Sequence, residues 1–161
     1  MITINFKINP ATIETMKAKG PSIVKILTTR ISILMQQLVS YVQVTKLSGQ
    51  IVTPRSGRLR GSVHALPTTI EATKIIGTVE SSGSVAFYGH VFENDGQSDF
   101  QIRSVKARAL RFISGGETIF AKVVNHKAQI ARPFMRPSQD ENATKIVAEL
   151  NAAVNGVING E

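Results

Sequence analysis

The 161-residue sequence predicts a single α+β domain, and three patterns predict it. Apolar residues recur every three or four positions from Ile23 to Val42, the period of a long amphipathic helix in the N-terminal half. The same period returns from Ile146 to Val157, which places a second helix at the C-terminus. Elsewhere, short runs rich in β-branched residues are punctuated by glycine and proline, which is how half-buried strands read.

In chain order, Ile2, Ile4, Phe6 and Ile8 alternate with Thr3, Asn5 and Lys7, a strand with one buried face. Asn9-Pro10 offers an N-cap and a first-turn proline for a short helix carrying Ile13 and Met16 and ending at Gly20. The long helix then presents Ile23, Leu27, Ile31, Leu34, Leu38 and Val42 on one face and runs to about Ser48-Gly49. Its other side, with Lys25, Thr29, Gln36 and Gln43, holds little charge, which suits packing against a second body.

Thr53 to Ser62 reads as a loop bearing Arg55, Arg58 and Arg60 around one apolar residue, Leu59, which should tuck inward. It is either a plain surface loop or a finger whose guanidinium groups grip phosphates or carboxylates in bidentate fashion. Val63 to Val79 reads as two strands broken at Leu66-Pro67, with Gly77 weakening the second. After a turn at Ser81 to Ser84, Val85 to Glu93 packs three aromatics into a helical turn expected to plug one end of the sheet. Asn94 to Asp99 is a polar loop.

Ile102–Ile113 and Thr118–Val124 should face each other as a hairpin across Ser114-Gly115-Gly116-Glu117. Between Arg103 and Arg136 eight basic residues meet one acid, Glu117, so positive charge concentrates on the hairpin and its exit. Alternation sets Lys106 and Arg108 on the side away from Val105, Ala107 and Ala109, a basic face for DNA or an acidic partner, with Arg111 nearby. Two prolines then hold Arg132 to Pro137 extended, with Phe134 and Met135 as anchors. Ser138-Gln139-Asp140-Glu141 reads as a capping box that starts the last helix near Gln139. Ile146, Val147, Leu150, Val154 and Val157 form its apolar stripe, and Gly156 or Gly160 ends it.

Net charge of +8 points to an anionic partner or to acidic neighbouring proteins. With no cysteine, the chain has no disulfide, thiolate metal site or cysteine nucleophile, which fits a reducing cytoplasm. The first residues lack the pattern of a signal peptide, and every apolar run is too short to span a membrane, so a soluble protein is expected. His64, His90 and His126 fall in separate elements without metal-ligand spacing, and no phosphate loop, dinucleotide fingerprint or nucleophile elbow is present. No metal or cofactor is therefore expected. His90 with Glu93 is the nearest approach to an acid–base pair, and a structural hydrogen bond explains Glu93 better than catalysis does.

Three motifs carry a resemblance. Ser56-Gly57-Arg58-Leu59-Arg60-Gly61-Ser62 resembles the (Thr/Ser)-Gly-Arg-Leu-Arg-x-Ser signature of the tail-completion and head-tail joining proteins of tailed bacteriophages, especially the minor tail component family of lambdoid phages. Tyr88-Gly89-His90-Val91-Phe92-Glu93 is similar to that family's Tyr-Ala-x-x-Val-Glu-Phe-Gly segment, and Ala131-Arg132-Pro133-Phe134-Met135-Arg136-Pro137 to its Ala-Arg-Pro-Phe-Leu-Arg-Pro. Gly89 replaces an alanine, Asn94 stands where the family has an aromatic, and Asp95 reads as an insertion, so the loop after Glu93 is expected to differ.

The resemblance implies a twisted antiparallel sheet packed with helices, in a structural virion protein rather than an enzyme. Copies would form a ring, six being the family-based number, at the neck between head and tail. The ring would contact connector and tail-terminator or tail-tube proteins and surround the DNA channel, after assembly in the host cytoplasm. In that setting Arg55, Arg58, Arg60, Asn94, Asp95, Arg132 and Arg136 are the interface candidates, and Leu59, Tyr88, Phe92 and Phe134 anchor the motifs in the core. The competing expectation is a basic nucleic-acid-binding protein that is not part of a virion.

Overall fold

The computed structural model describes residues 2–7, 21–49, 51, 57–71, 74–83, 86–94 and 96–159. The expected short helix between Asn9 and Gly20, together with Arg55 and Asp95, lies outside them. The fold is mixed helix and sheet, with the two long helices where the sequence periods place them.

The main sheet is built on one strand, β4 (Lys74–Ser81). Strand β1 (Ile2–Lys7) pairs along one side of it, antiparallel, from Ile2 opposite Ser81 to Lys7 opposite Ile76. Two short strands share the other side, β2 (Val63–Ala65) opposite Ser81 to Val79 and β3 (Thr69–Glu71) opposite Ile76 to Lys74. They are one edge interrupted at Leu66-Pro67-Thr68, because Pro67 has no amide to give the ladder. The Leu66 amide still donates to the Thr78 carbonyl at 2.9 Å, so the register survives the break.

Helix α1 (Pro21–Tyr41) crosses this sheet. Ile23, Leu27, Ile31, Leu34, Leu38 and Val42 are all buried, with Met35 and Val39 beside them. Gly77 lies under the crossing: a Cβ there would sit 2.5 Å from Ile31 Cγ2 and 2.7 Å from Met35 Cγ. It therefore permits the helix to seat on the strand, and loss of strand propensity is its lesser effect.

After Tyr41 the helix widens into a π turn, Val42–Lys46, closed by the Leu47 amide on the Val42 carbonyl at 3.0 Å. Lys46 and Leu47 both lie on its buried side.

The C-terminal helix, which we call α4 after two shorter helices described below, is Met135–Asn159 and packs along α1. Phe134, Met135 and Ile146 are buried, and Leu150, Val154 and Val157 pack on the same core. Val147, expected on that stripe, faces outward beside Ile146. Arg30 on α1 meets Glu149 on α4 at 2.7 Å, and Lys46 meets Glu141 at 2.7 Å.

The predicted hairpin becomes an arm with two ladders. Strand β5 (Phe100–Arg103) pairs with β8 (Val123–His126), and β6 (Leu110–Ser114) pairs with β7 (Glu117–Ala121). At the tip, Gly115 and Gly116 have φ of 62° and 87°, the two left-handed residues a tight two-residue hairpin requires. The expected continuous strand from Ile102 to Ile113 is broken: residues 104–109 form a bulge opposite the single residue Lys122, whose carbonyl accepts from the Ser104 amide at 3.3 Å. Alanine and cations at these positions offer little strand propensity and no apolar face to pack. Lys106 and Arg108 accordingly project from the bulge and not from a strand face, with Val105 exposed beside them. None of the four arm strands joins the main sheet.

Candidate functional site

The three motifs meet at one end of the body. Residues Arg58–Ser62 form a single helical turn, α2, where the sequence predicted a loop. It starts from Gly57 at φ 68° and closes by the Gly61 amide on the Gly57 carbonyl at 2.9 Å. Leu59 turns toward the core while Arg58 and Arg60 stay in solvent. This turn packs on helix α3 (Ala86–Glu93), the second motif.

Helix α3 divides its aromatics between two sides. Phe92 packs on the core, as expected. Tyr88, expected as an anchor, instead points out, 59% exposed, in a T-shaped contact with Phe87 at 6.0 Å. Tyr88 and Phe92 stand four positions apart, but Phe92 packs on the core beside buried Glu93, and Tyr88 is exposed with Phe87. An exposed aromatic pair next to two arginines has the composition of a protein interface.

Glu93 joins the second motif to the third. Only 3% exposed, its Oε2 accepts from the amides of Phe134 and Met135, and its Oε1 from that of Arg136, each at 2.8 Å. An α-helix leaves four amides at its N-terminus without an internal partner. Here those are the amides of residues 134 to 137: Glu93 takes three, and the fourth does not exist because residue 137 is proline. The negative charge also lies at the positive end of the helix dipole. Charge-assisted bonds of this kind are stronger than neutral ones and compensate the burial of the carboxylate.

This clamp corrects two expectations. The capping box is not formed, because the helix starts at Met135, before Ser138. Ser138 is buried within the first turns and donates its hydroxyl to the Phe134 carbonyl at 2.5 Å. Glu141 does not reach back to the Ser138 amide but accepts from Lys46 Nζ at 2.7 Å and from the Tyr41 hydroxyl. The extended stretch likewise ends at Phe134, since Arg136 and Pro137 are helical. Glu93 also accounts for its own carboxylate: both oxygens are taken by amides, and His90 on the exposed side of α3 is not its partner.

The root of the arm hangs on the same clamp. The Arg132 amide donates to the Phe92 carbonyl at 2.7 Å, and the Gly96 amide to the Val91 carbonyl at 2.9 Å. Gln97 and Gln129 exchange two backbone bonds of 2.8 and 2.7 Å, closing the arm at its base. Gly96 has φ 66°, and a Cβ would fall 2.1 Å from the Gln129 carbonyl oxygen, so only glycine fits. Arg136 Nη2 donates to Asn94 Oδ1 at 3.1 Å, which ties two interface candidates together, while Arg132 is exposed.

Electrostatics differ from end to end. The Glu141 carboxyl is held below the usual carboxylate range, first by the Lys46 hydrogen bond and then by that of Tyr41. The Tyr41 hydroxyl is pushed up, chiefly because it donates to Glu141. On the sheet, His64 places Nε2 3.4 Å from Glu80 Oε1 and Nδ1 3.0 Å from the Ser62 carbonyl, while the Ser62 and Ser81 hydroxyls bond each other at 2.8 Å. The imidazole faces the serine carbonyl and not a serine hydroxyl, so the cluster is not arranged as a nucleophile with its base. Among the described residues no group of three His, Asp or Glu side chains is placed to hold a metal ion.

Comparison of the chain with protein-family models, with curated proteins and with solved structures returns no match. The junction around Glu93 was missed in the sequence, although a signal existed. That signal is the carboxylate of Glu93 at the end of an otherwise apolar helix, which lacks a partner until the distant segment Phe134 to Arg136 is brought to it.

Proposed function

We propose that the chain is a structural building block of the neck of a tailed bacteriophage, a ring-forming tail-completion component between head and tail that surrounds the DNA channel. The observation that carries this reading is the convergence of the three motifs: the Arg58–Ser62 turn packs on Ala86–Glu93, and Glu93 holds Phe134 to Arg136. Residues that resemble one family at three separate places in the sequence thus serve one local structure. That structure positions Arg58, Arg60, Phe87 and Tyr88 at the surface and fixes the base of a projecting arm. Six subunits, acidic connector or tail proteins as neighbours, and a virion location complete the proposal. No described helix is long and apolar enough to cross a membrane.

Mass spectrometry of purified virions tests it. The chain is expected at stoichiometric level beside the portal and tail proteins, and a trace level overturns the reading. A second reading, a nucleic-acid-binding protein outside the virion, is favoured by one observation: Arg103, Lys106, Arg108, Arg111, Lys122 and Lys127 of the arm make no ion pair among the described residues. It predicts tight DNA binding by the isolated chain that falls steeply with salt, one counterion for each phosphate neutralised.

A further inference from the structure

Glu80 is a buried charge that the fold leaves half-paired. Alternation along β4 turns Val79 and Ser81 toward α1, and sets Glu80 on the other side of the sheet with His64, its partner across the ladder. The Glu80 side chain is 7% exposed, yet its Oε2 has no hydrogen-bond partner and its Oε1 meets only His64 Nε2, at 3.4 Å. A buried carboxylate oxygen without a donor is costly, so the one contact it has matters.

The imidazole decides whether that contact attracts. A carbonyl oxygen can only accept, so His64 Nδ1, 3.0 Å from the Ser62 carbonyl, carries a proton. In the neutral ring Nε2 is then a lone pair aimed at a carboxylate oxygen, and two acceptors repel. A second proton, on Nε2, turns the same contact into an imidazolium–carboxylate pair. The ring is half-exposed, so that proton exchanges with solvent.

The other end of the ring holds the joint between α2 and β2. The Ser62 carbonyl also accepts from the Ser82 amide at 3.2 Å, while the Ser62 hydroxyl bonds Ser81 at 2.8 Å and donates to the Leu59 carbonyl at 2.7 Å. Strand β2 has three residues and pairs with β4 alone, so little else fixes this corner.

Among the described residues Glu80 is the one charged group that forms a pair with the ring. Arg58 and Arg60 of α2 and His90 of α3 lie in solvent, and Glu93 of α3 is taken by amides. Lys74 of β4 and Lys7 of β1 share the His64 side of the sheet only by register, toward its far end. Arg30, Tyr41 and Lys46 are engaged with α4, and Lys25 is exposed on α1, across the sheet.

We infer that His64 and Glu80 form a proton-operated latch on the arginine-bearing turn. With both imidazole nitrogens protonated, the ring ties Glu80 to Ser62 and holds the Arg58–Ser62 turn against β4. When Nε2 releases its proton to solvent, ring and carboxylate part and the turn loosens, so the placing of Arg58 and Arg60 follows pH. The latch goes beyond the neck reading and does not depend on it.

Long-range proton–nitrogen NMR spectra of the full-length protein, recorded from acid to alkaline pH, test it. His64 is expected to pass from a doubly protonated ring to a neutral one with its proton on Nδ1, and the Gly61 and Val63 amide signals should shift with the same midpoint. His64→Gln assigns the ring signals and should abolish that shift, which separates His64 from His90. Glu80→Gln, whose amide offers a donor and an acceptor and so suits either form of the ring, should leave the His64 titration visible while the two amides cease to follow it. A neutral ring protonated on Nε2 overturns the inference, as do Gly61 and Val63 signals that ignore the titration of His64 or that still follow it in Glu80→Gln. Should Glu80→Gln fail to fold, the tautomer and the shared midpoint of the parent protein still decide.

Discussion

Body and arm are made of similar residues and obey different rules. In the body, apolar side chains at regular spacing find a second layer within the chain: α1 on β4, α4 on α1. Two of its buried charges are compensated as well, Lys46 by Glu141 and Glu93 by three amides, while Glu80 faces His64 through one oxygen only. In the arm, apolar residues stand on both faces from Leu110 to Ala121, but among the described residues no second layer covers them and none of the cations makes an ion pair. Periodicity therefore reports only that a face is to be covered. Whether the cover is intramolecular depends on what the topology brings near, and among the described residues no element packs over the arm.

The largest expected effects are at the joint between the two regions. Phe134→Ala empties a fully buried site and should cost about 3–5 kcal/mol in urea unfolding. Glu93→Ala strands three amides at the start of α4 and should cost about 3–5 kcal/mol, as removal of one partner from a buried charged contact does. Glu93→Gln should recover part of that loss, since an amide oxygen can still accept. If Glu93→Ala melts like the parent, the carboxylate does not hold the helix and the comparison fails at its hinge.

A smaller effect is expected from pH. The Glu141 carboxyl is lower in the folded state than in the unfolded chain, so its contribution is present above the ordinary glutamate range. That contribution is lost as pH falls through the lowered folded value. Tyr41 shifts the other way: its contribution is complete below the ordinary tyrosine value and disappears as pH rises through the raised one. Glu141→Gln should flatten both flanks of the stability profile measured by thermal melts from acid to alkaline pH, and unchanged flanks would remove the pair from the account.

The smallest effect on stability belongs to the arm and the exposed arginines. Phe120→Ser and Arg58→Ala should each move unfolding by less than about 0.5 kcal/mol and still impair assembly. Melting caused by Arg58→Ala would make the α2 turn structural and remove it from the interface.

Much of the body was readable because its signals are local. Five α1 positions from Ile23 to Leu38 with Val42 after them, the break at Pro67 and the Gly115-Gly116 turn each follow from neighbours within a few residues. The junction was not readable in that way. Glu93 is 41 residues before Phe134, and Ser138-Gln139-Asp140-Glu141 carried a complete local cap that the distant carboxylate displaced. Tyr88 was misplaced because an aromatic near a core motif was assumed to face inward. The 104–109 bulge escaped because alternation of Val105, Ala107 and Ala109 resembles a strand without having anything to pack on.

Amide hydrogen exchange of the full chain, followed from dilute to concentrated protein, tests the division between body and arm most directly. The β4 and α1 amides are expected to be protected at every concentration, while those of β5 to β8 exchange fast when dilute and gain protection together with assembly. Arm amides as protected as β4 in the dilute monomer would contradict it.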